Sequence, residues 1–253
     1  MTQTVQINET QAFLEALDRL PPGAPTACAG WTVHDITAHM AAGADEIARL
    51  FEAYGEGLPV PATRGWDERE APYRAMDDAA LRRQLLTASV RMSAAMQAVF
   101  SNEPDAVIPF TNMPMKAATF AMHSRSECAI HRWDMVGDDD VSRQLLSQPE
   151  ITEHAVHVLA PLLFSRGCGV KPTPVDAFSA RIRTDGRPDL VVTHDSAGAQ
   201  LTFAPNDGSA AIETDAAARL LYIWGRRPSD PARIRGGVSA EMRARVEALL
   251  AGG

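Results

Sequence analysis

Four stretches of the sequence repeat apolar residues at the 3.6-residue period of an α-helix, and Gly- or Pro-containing segments separate them. In the first stretch, Phe13, Leu14 and Leu17 share one face, and Pro21-Pro22-Gly23 ends the pattern. Helices of this length in succession favour an antiparallel four-helix bundle, in which ligand sites are built from inward-pointing side chains. The four stretches cover residues 7–20, 32–54, 76–100 and 116–136.

The start of the second helix and the segment after it can be predicted in more detail. Thr32, with Asp35 three residues later, predicts a capping box at the helix start. Residues 55–73 are rich in Gly and Pro and contain Trp66, which predicts a long loop or short helical turns. A segment of this length in a compact domain is often functional.

The pattern changes in the second half of the chain. Residues 142–169 predict a further helix, on which we expect His154 and His157 to lie at the surface. Beyond residues 171–174, short alternating runs at 178–184, 190–194, 201–203 and 210–213 predict strands separated by turns. Asp215 and Ser239 each predict the start of a helix. We therefore expect an α+β protein of two domains, a helical bundle over residues 1–150 and a small domain with an antiparallel sheet over residues 151–253.

Composition and charge exclude several classes of partner. The chain has 253 residues, 45% of them hydrophobic, and a net charge of −8. Because no basic run or basic face is apparent, we expect neither nucleic acid nor a membrane surface as partner. The N-terminus shows no secretory signal pattern, so we expect a soluble, cytoplasmic protein, either a monomer or a homodimer. The three cysteines are widely spaced and are expected to be reduced.

The fourth helical stretch carries side chains that are typical metal ligands. His123, Glu127 and His131 follow one another at intervals of four residues, so on a helix they drift only about 40° per step and share one face. Such residues are also common as ordinary surface or capping side chains. Cys128 points about 100° away from Glu127 and is expected to pack in the core.

A catalytic zinc site usually has three protein ligands, which can come from different elements. Glu127 and His131 supply two from the fourth helix, and in a bundle a residue of the second helix can face them. His39 is the imidazole placed well inside that second helix. Without the partner pair, a core histidine held by hydrogen bonds would be the better interpretation of His39.

Two segments resemble a known family. Gly30–Met40, with the sequence GWTVHDITAHM, and Glu127–Met135, with the sequence ECAIHRWDM, look like the signature segments of the mycothiol-dependent maleylpyruvate isomerase family. The segment AAARLLYIWGRRP at residues 216–228 is similar to the C-terminal domain of that family. The resemblance implies a DinB-like N-terminal four-helix bundle and a C-terminal domain of the sterol-carrier-protein type.

The resemblance also implies a function. Positions matching His39, Glu127 and His131 would hold a divalent metal, usually zinc, and the low-molecular-weight thiol mycothiol would be the cofactor. A thiolate that adds to an activated double bond leaves a single bond free to rotate before the thiol is expelled, which gives isomerisation or, if the adduct is kept, S-transfer. We expect a small electrophilic, carboxylated substrate. Asp134 could orient an imidazole, pair with Arg132 or cap a neighbouring turn. His123 could be a catalytic proton shuttle or a buried hydrogen-bonded histidine.

Cationic anchors for the substrate and cofactor are expected in the second domain. Arg226 and Arg235 are the candidate cofactor-binding residues, and Arg227, Arg233, Arg82 and Arg83 are further options. Two alternative functions stay open: a metal enzyme that uses no thiol, such as a hydrolase, lyase or cyclase, and a protein that binds a small ligand without catalysis.

Overall fold

The computed structural model describes residues 8–111, 113–161, 164, 176–237 and 239–250. The chain divides into two compact units, one formed by Phe13–Met135 and the other by Met1–Ala12 with Val136–Gly253. The predicted domain boundary between residues 150 and 151 stays a prediction. The α+β fold class, with a helical N-terminal region and antiparallel strands, is confirmed.

The Phe13–Met135 unit is largely helical. Two short strands, paired antiparallel, lie between the third and the fourth predicted helical stretch. The core of the unit includes Phe51 of the second helix. The Phe51 ring contacts the Phe120 ring at a centroid distance of 4.8 Å. In chain order the elements are α1 (Glu9–Arg19, which begins in the other unit), α2 (Val33–Gly55), α3 (Trp66–Arg74), α4 (Asp78–Asn102), β1 (Val107–Phe110), β2 (Met113–Lys116) and α5 (Ala117–Val136).

Helix α2 begins at the predicted capping box. The Thr32 hydroxyl accepts a hydrogen bond from the backbone N–H of Asp35, and the Asp35 carboxylate accepts one from the backbone N–H of Thr32 at 2.9 Å. Two backbone donors at the helix start are therefore satisfied. This start sets where His39 lies along the helix.

A buried carboxylate fixes the connection between α2 and α3. The side chain of Glu46 is fully buried and accepts hydrogen bonds from the backbone N–H and the Nε–H of Arg64, at 2.8 and 2.6 Å. Arg49 donates to the same carboxylate. Because a buried carboxylate needs such partners, Glu46 holds the chain beside α2 just before α3 begins at Trp66. The loop or helical turns predicted for residues 55–73 are therefore a tethered segment followed by a helix.

The Val136–Gly253 part combines short helices with a sheet. Its elements are α6 (Asp140–Leu146), α7 (Pro149–His154), a π-helical turn (Ala155–Leu159), β3 (Phe178–Thr184), β4 (Asp189–Asp195), β5 (Gly198–Ala204), β6 (Ile212–Thr214), α8 (Ala216–Ile223), a 3-10 turn (Pro231–Arg233), β7 (Ile234–Arg235) and α9 (Ala240–Leu249). The strand order of the sheet is β5-β4-β3-β6-β7. All neighbouring strands pair antiparallel except β3 and β6, which are parallel. Asp215 and Ser239 cap α8 and α9 as predicted.

The prediction of a single helix over residues 142–169 is wrong for those of its residues that the structure describes. Pro149 lacks the N–H that would continue α6, and it starts α7 instead. His154 is buried rather than at the surface, whereas His157 is exposed. The π-helical turn that follows changes the angular spacing on which the surface prediction rested. Residues 162–163 and 165–175, including Cys168 and the predicted change of pattern at 171–174, lie outside the described residues.

No helix within the described ranges combines the length and the apolar character needed to cross a bilayer.

The capping box yields a stability prediction. Substituting Thr32 by Ala should lower the free energy of unfolding by about 1 kcal/mol, because an N–H at the start of α2 loses its acceptor. Urea unfolding followed by circular dichroism measures the change. Thr87→Ala is the control, since the Thr87 hydroxyl donates to a backbone carbonyl within α4. An equal loss in both variants would contradict the assigned role of Thr32.

Candidate metal centre

Helices α2 and α5 bring His39, Glu127 and His131 together. Glu127 Oε2 lies 3.4 Å from Nε2 of His39 and 3.4 Å from Nε2 of His131. The three side chains are 12%, 17% and 6% exposed. Within the described residues, they form one of two groups of His, Cys, Asp or Glu whose donor atoms all lie within 4.8 Å of one another.

A carboxylate on α3 orients His39. Oε1 of Glu70 lies 2.7 Å from Nδ1 of His39, and Arg74 donates to Oε2 of Glu70 at 2.8 Å. Burial alone would raise the pKa of Glu70, but the hydrogen bonds and charges of His39 and Arg74 lower it. Because an ionised carboxylate only accepts hydrogen bonds, Nδ1 of His39 is the donor. The other ring nitrogen, Nε2, is then directed towards Glu127.

Asp134 orients His131 in the same way. Its Oδ2 lies 2.9 Å from Nδ1 of His131, and the Cys28 thiol donates to the same oxygen at 3.2 Å. The prediction that Asp134 could be an acceptor for an imidazole is therefore confirmed. Cys28, His131 and Asp134 also form the second group of possible ligands.

The pKa values of Glu127 and His131 are shifted by the carboxylates and imidazoles around them. Burial alone would raise the pKa of Glu127, but hydrogen bonds from His131 and His39 and the nearby His123 hold it well below its ordinary value. Burial alone would lower the pKa of His131, but Asp134, Cys28 and Glu127 raise it well above its ordinary value. The site therefore favours an ionised carboxylate with positive charge beside it.

These residues fit a divalent metal. In tetrahedral zinc sites with bonds of about 2.0 to 2.1 Å, neighbouring ligand atoms lie about 3.3 Å apart. The two 3.4 Å separations from Glu127 Oε2 agree with that spacing. Imidazole ligands whose second nitrogen donates to a carboxylate are also the usual arrangement in zinc sites.

His123 lies at the edge of this cluster. Its Nε2 is 4.0 Å from Oε1 of Glu127, and its ring contacts that of Phe110 at a centroid distance of 5.5 Å. His123 thus approaches Oε1 of Glu127, whereas the two other imidazoles approach Oε2.

Aromatic rings from two segments surround His39. Trp31 lies 5.4 Å and Trp66 6.0 Å from it, measured between ring centroids. Trp66 is 40% exposed, so this ring also reaches the surface of the protein.

The arginines predicted to bind the cofactor belong to the other compact unit. Arg226 donates to the backbone carbonyl of Trp224 at 3.0 Å, and Arg235 is exposed on β7. Arg233 forms ion pairs with Asp138 and Asp215. Of the further options in the helical unit, Arg82 is held by Asp78 and by two backbone carbonyls, one in the last turn of α1 and one just after it.

Comparison with known proteins places the chain in a family. The family model described as the mycothiol maleylpyruvate isomerase N-terminal domain matches residues 5–136, which is more than half of the sequence.

The chain belongs to the mycothiol maleylpyruvate isomerase family.

Solved structures show the same fold over both units. The crystal structure of a mycothiol-dependent maleylpyruvate isomerase superposes with a TM-score of 0.65 at 15% identity, covering 91% of this chain and 90% of the other. A mutant of such an isomerase superposes with a TM-score of 0.63 at 15% identity and the same coverage. Among curated proteins, none matches the sequence.

Sequence reasoning missed two members of this site in the maleylpyruvate isomerase fold. Glu70 lies in the segment for which the sequence predicts a long loop or short helical turns. Several carboxylates lie in that segment, and nothing in the sequence marks Glu70 as the one that contacts His39. Cys28 lies 106 residues from Asp134, and only tertiary folding brings the two together.

The contact between Glu70 and His39 yields a prediction about metal affinity. Glu70→Ala should weaken zinc binding about tenfold to a hundredfold, because the imidazole loses the acceptor that fixes its tautomer. Competition with a chromophoric zinc chelator measures the affinity. Glu68→Ala, an exposed acidic residue on the same helix, should leave it unchanged. Equal affinities for wild type and Glu70→Ala would contradict the orienting role.

Proposed function

We propose that this protein is a metal-dependent, mycothiol-assisted isomerase or S-transferase that acts on a small electrophilic substrate carrying a carboxylate. Membership of the maleylpyruvate isomerase family supports the thiol and the reaction class. The observation that carries the proposal is the cluster of His39, Glu127 and His131, in which each imidazole is held by its own carboxylate.

His39, Glu127 and His131 would hold the cation through Nε2, Oε2 and Nε2. We propose zinc, because two imidazoles and one carboxylate are a common ligand set of catalytic zinc sites. When bound, a zinc ion with an open coordination position lowers the pKa of a thiol placed there, so that the thiolate forms at neutral pH. Glu70 and Asp134 keep the two imidazoles in the tautomer that ligation requires.

Other residues of the chain would handle protons and binding. His123 could exchange a proton with the substrate, since its Nε2 lies 4.0 Å from Glu127 on the same helix face. The rings of Trp31 and Trp66, which lie beside His39, would limit the access of water to a metal bound there. For Arg226 and Arg235 we propose contacts with the anionic or polar groups of mycothiol, which a guanidinium binds well.

Metal analysis combined with calorimetry tests the proposal. Purified wild type should contain about one zinc per chain and should bind mycothiol. His131→Ala should lose both properties, because one ligand and its orienting carboxylate no longer act together. His157→Ala, which removes an exposed imidazole, should retain both. His123→Gln should keep the metal but lower mycothiol-dependent turnover of maleylpyruvate by about a hundredfold.

The possible results separate the parts of the proposal. Wild type without metal, or unchanged metal content in His131→Ala, would contradict the metal site. Bound metal in a wild type that does not bind mycothiol would contradict the use of a thiol cofactor. The protein would then be a metal enzyme that uses water or the substrate alone. Unchanged turnover in His123→Gln would contradict the proton-transfer role.

A further inference from the structure

Arg69 on α3 is a buried cation with unused hydrogen-bond donors. The residue is 5% exposed, and its Nε and Nη1 atoms are buried without a hydrogen-bond partner among the described residues. Its guanidinium lies 6.0 Å from the centre of the Trp66 ring, the ring that also contacts His39. A buried donor without an acceptor costs free energy, and such donors are rare in native proteins. A ligand that supplies the acceptor would account for this one.

The neighbouring carboxylates do not supply the missing acceptors. Glu70, Glu46 and Glu127 all act electrostatically on the guanidinium, which shows that Arg69 lies among them. Each of these carboxylates nevertheless bonds elsewhere: Glu46 to Arg49 and Arg64, Glu70 to His39 and Arg74, and Glu127 to the two candidate imidazole ligands. Burial lowers the pKa of Arg69 despite these charges. The guanidinium stays charged at neutral pH, because the ordinary pKa of arginine is above 12.

Gly43 leaves space on the face of α2 that carries the site. It lies four residues after His39 and three before Glu46, so the three positions share one side of the helix. A Cβ atom built on Gly43 would meet nothing within 4 Å. The helix face next to His39 is therefore open where any other residue would place a side chain.

We propose that Arg69 binds the carboxylate of the substrate, which enters beside Gly43 and reaches the metal centre from there. The inference rests on the proposed function, since it gives the substrate of that site its anchor. A carboxylate matches the paired donors along one edge of a guanidinium in geometry and charge, and it would supply an acceptor that the protein itself does not supply. Arg69 would thus select anionic substrates, and the open face at Gly43 would limit their bulk.

Titration calorimetry with maleate, a small dicarboxylate, tests this role. Maleate affinity should fall about tenfold to a hundredfold in Arg69→Met, because a charge-assisted hydrogen bond in a buried site is lost. Arg69→Lys should keep part of the affinity, since it retains the charge but not the fork of donors. Arg49→Met is the matched control, because Arg49 is already paired with Glu46. It should bind maleate as wild type does.

A second pair of variants tests the open face at Gly43. Gly43→Ala should keep maleate binding, since its Cβ meets no neighbour, whereas Gly43→Leu should abolish it by filling the space. This pair also decides the question if Arg69→Met fails to fold. Wild-type affinity in Gly43→Leu, or in a folded Arg69→Met, would overturn the proposal, and so would the absence of maleate binding in wild type.

Two measurements separate this inference from the proposed function. Zinc content is determined for every variant, and it should be unchanged in Arg69→Met if Arg69 serves the substrate rather than the metal site. Titrations are repeated on protein stripped of metal with a chelator. Maleate is thus titrated into both the zinc-containing and the metal-free protein. Weaker binding by Arg69→Met than by wild type in both forms supports Arg69 as the carboxylate-binding residue, even if mycothiol-dependent activity is not found. Loss of maleate affinity only together with loss of zinc would overturn it.

Discussion

The candidate site depends on the pairing of each imidazole with a carboxylate on the side opposite Glu127. Glu70 holds Nδ1 of His39 at 2.7 Å, and Asp134 holds Nδ1 of His131 at 2.9 Å. These two contacts direct both Nε2 atoms to one oxygen of Glu127. Without them each ring could rotate or change tautomer, and the three donors would no longer converge. Positive charge is therefore favoured at one point in the helical unit.

Much of the local structure serves to deliver these two carboxylates. Asp134 lies one turn beyond His131 on α5, so the helix itself places it. Glu70 comes from α3, and its position depends on the buried Glu46, which ties Arg64 to α2 just before α3 begins. Arg74 binds both Glu70 and Asp35, the residue that completes the capping box of α2. The start of the helix that carries His39 and the orientation of its ring are thus linked through one arginine.

The sequence predicted the parts of this arrangement that depend on local spacing. Helical period and capping residues predicted α2, α4 and α5, and the four-residue interval predicted that Glu127 and His131 share a face. Glu70, Cys28 and Arg69 could not be predicted, because their roles arise from contacts between elements far apart in the chain. The parallel pairing of β3 with β6 was missed for the same reason, since alternation along a strand does not specify its neighbour. His154 was assigned to the wrong environment because Pro149 and a π-helical turn interrupt the predicted helix.

Both groups of possible ligands contain His131, but only the second group, which includes Cys28, offers a sulfur ligand. X-ray absorption at the zinc edge of the zinc-loaded protein distinguishes them directly. We expect only nitrogen and oxygen ligands at about 2.0 to 2.1 Å, with one sulfur at about 2.3 Å appearing after mycothiol is added. Zinc–sulfur scattering before the addition of mycothiol, and its loss in Cys28→Ser, would contradict the site formed by His39, Glu127 and His131.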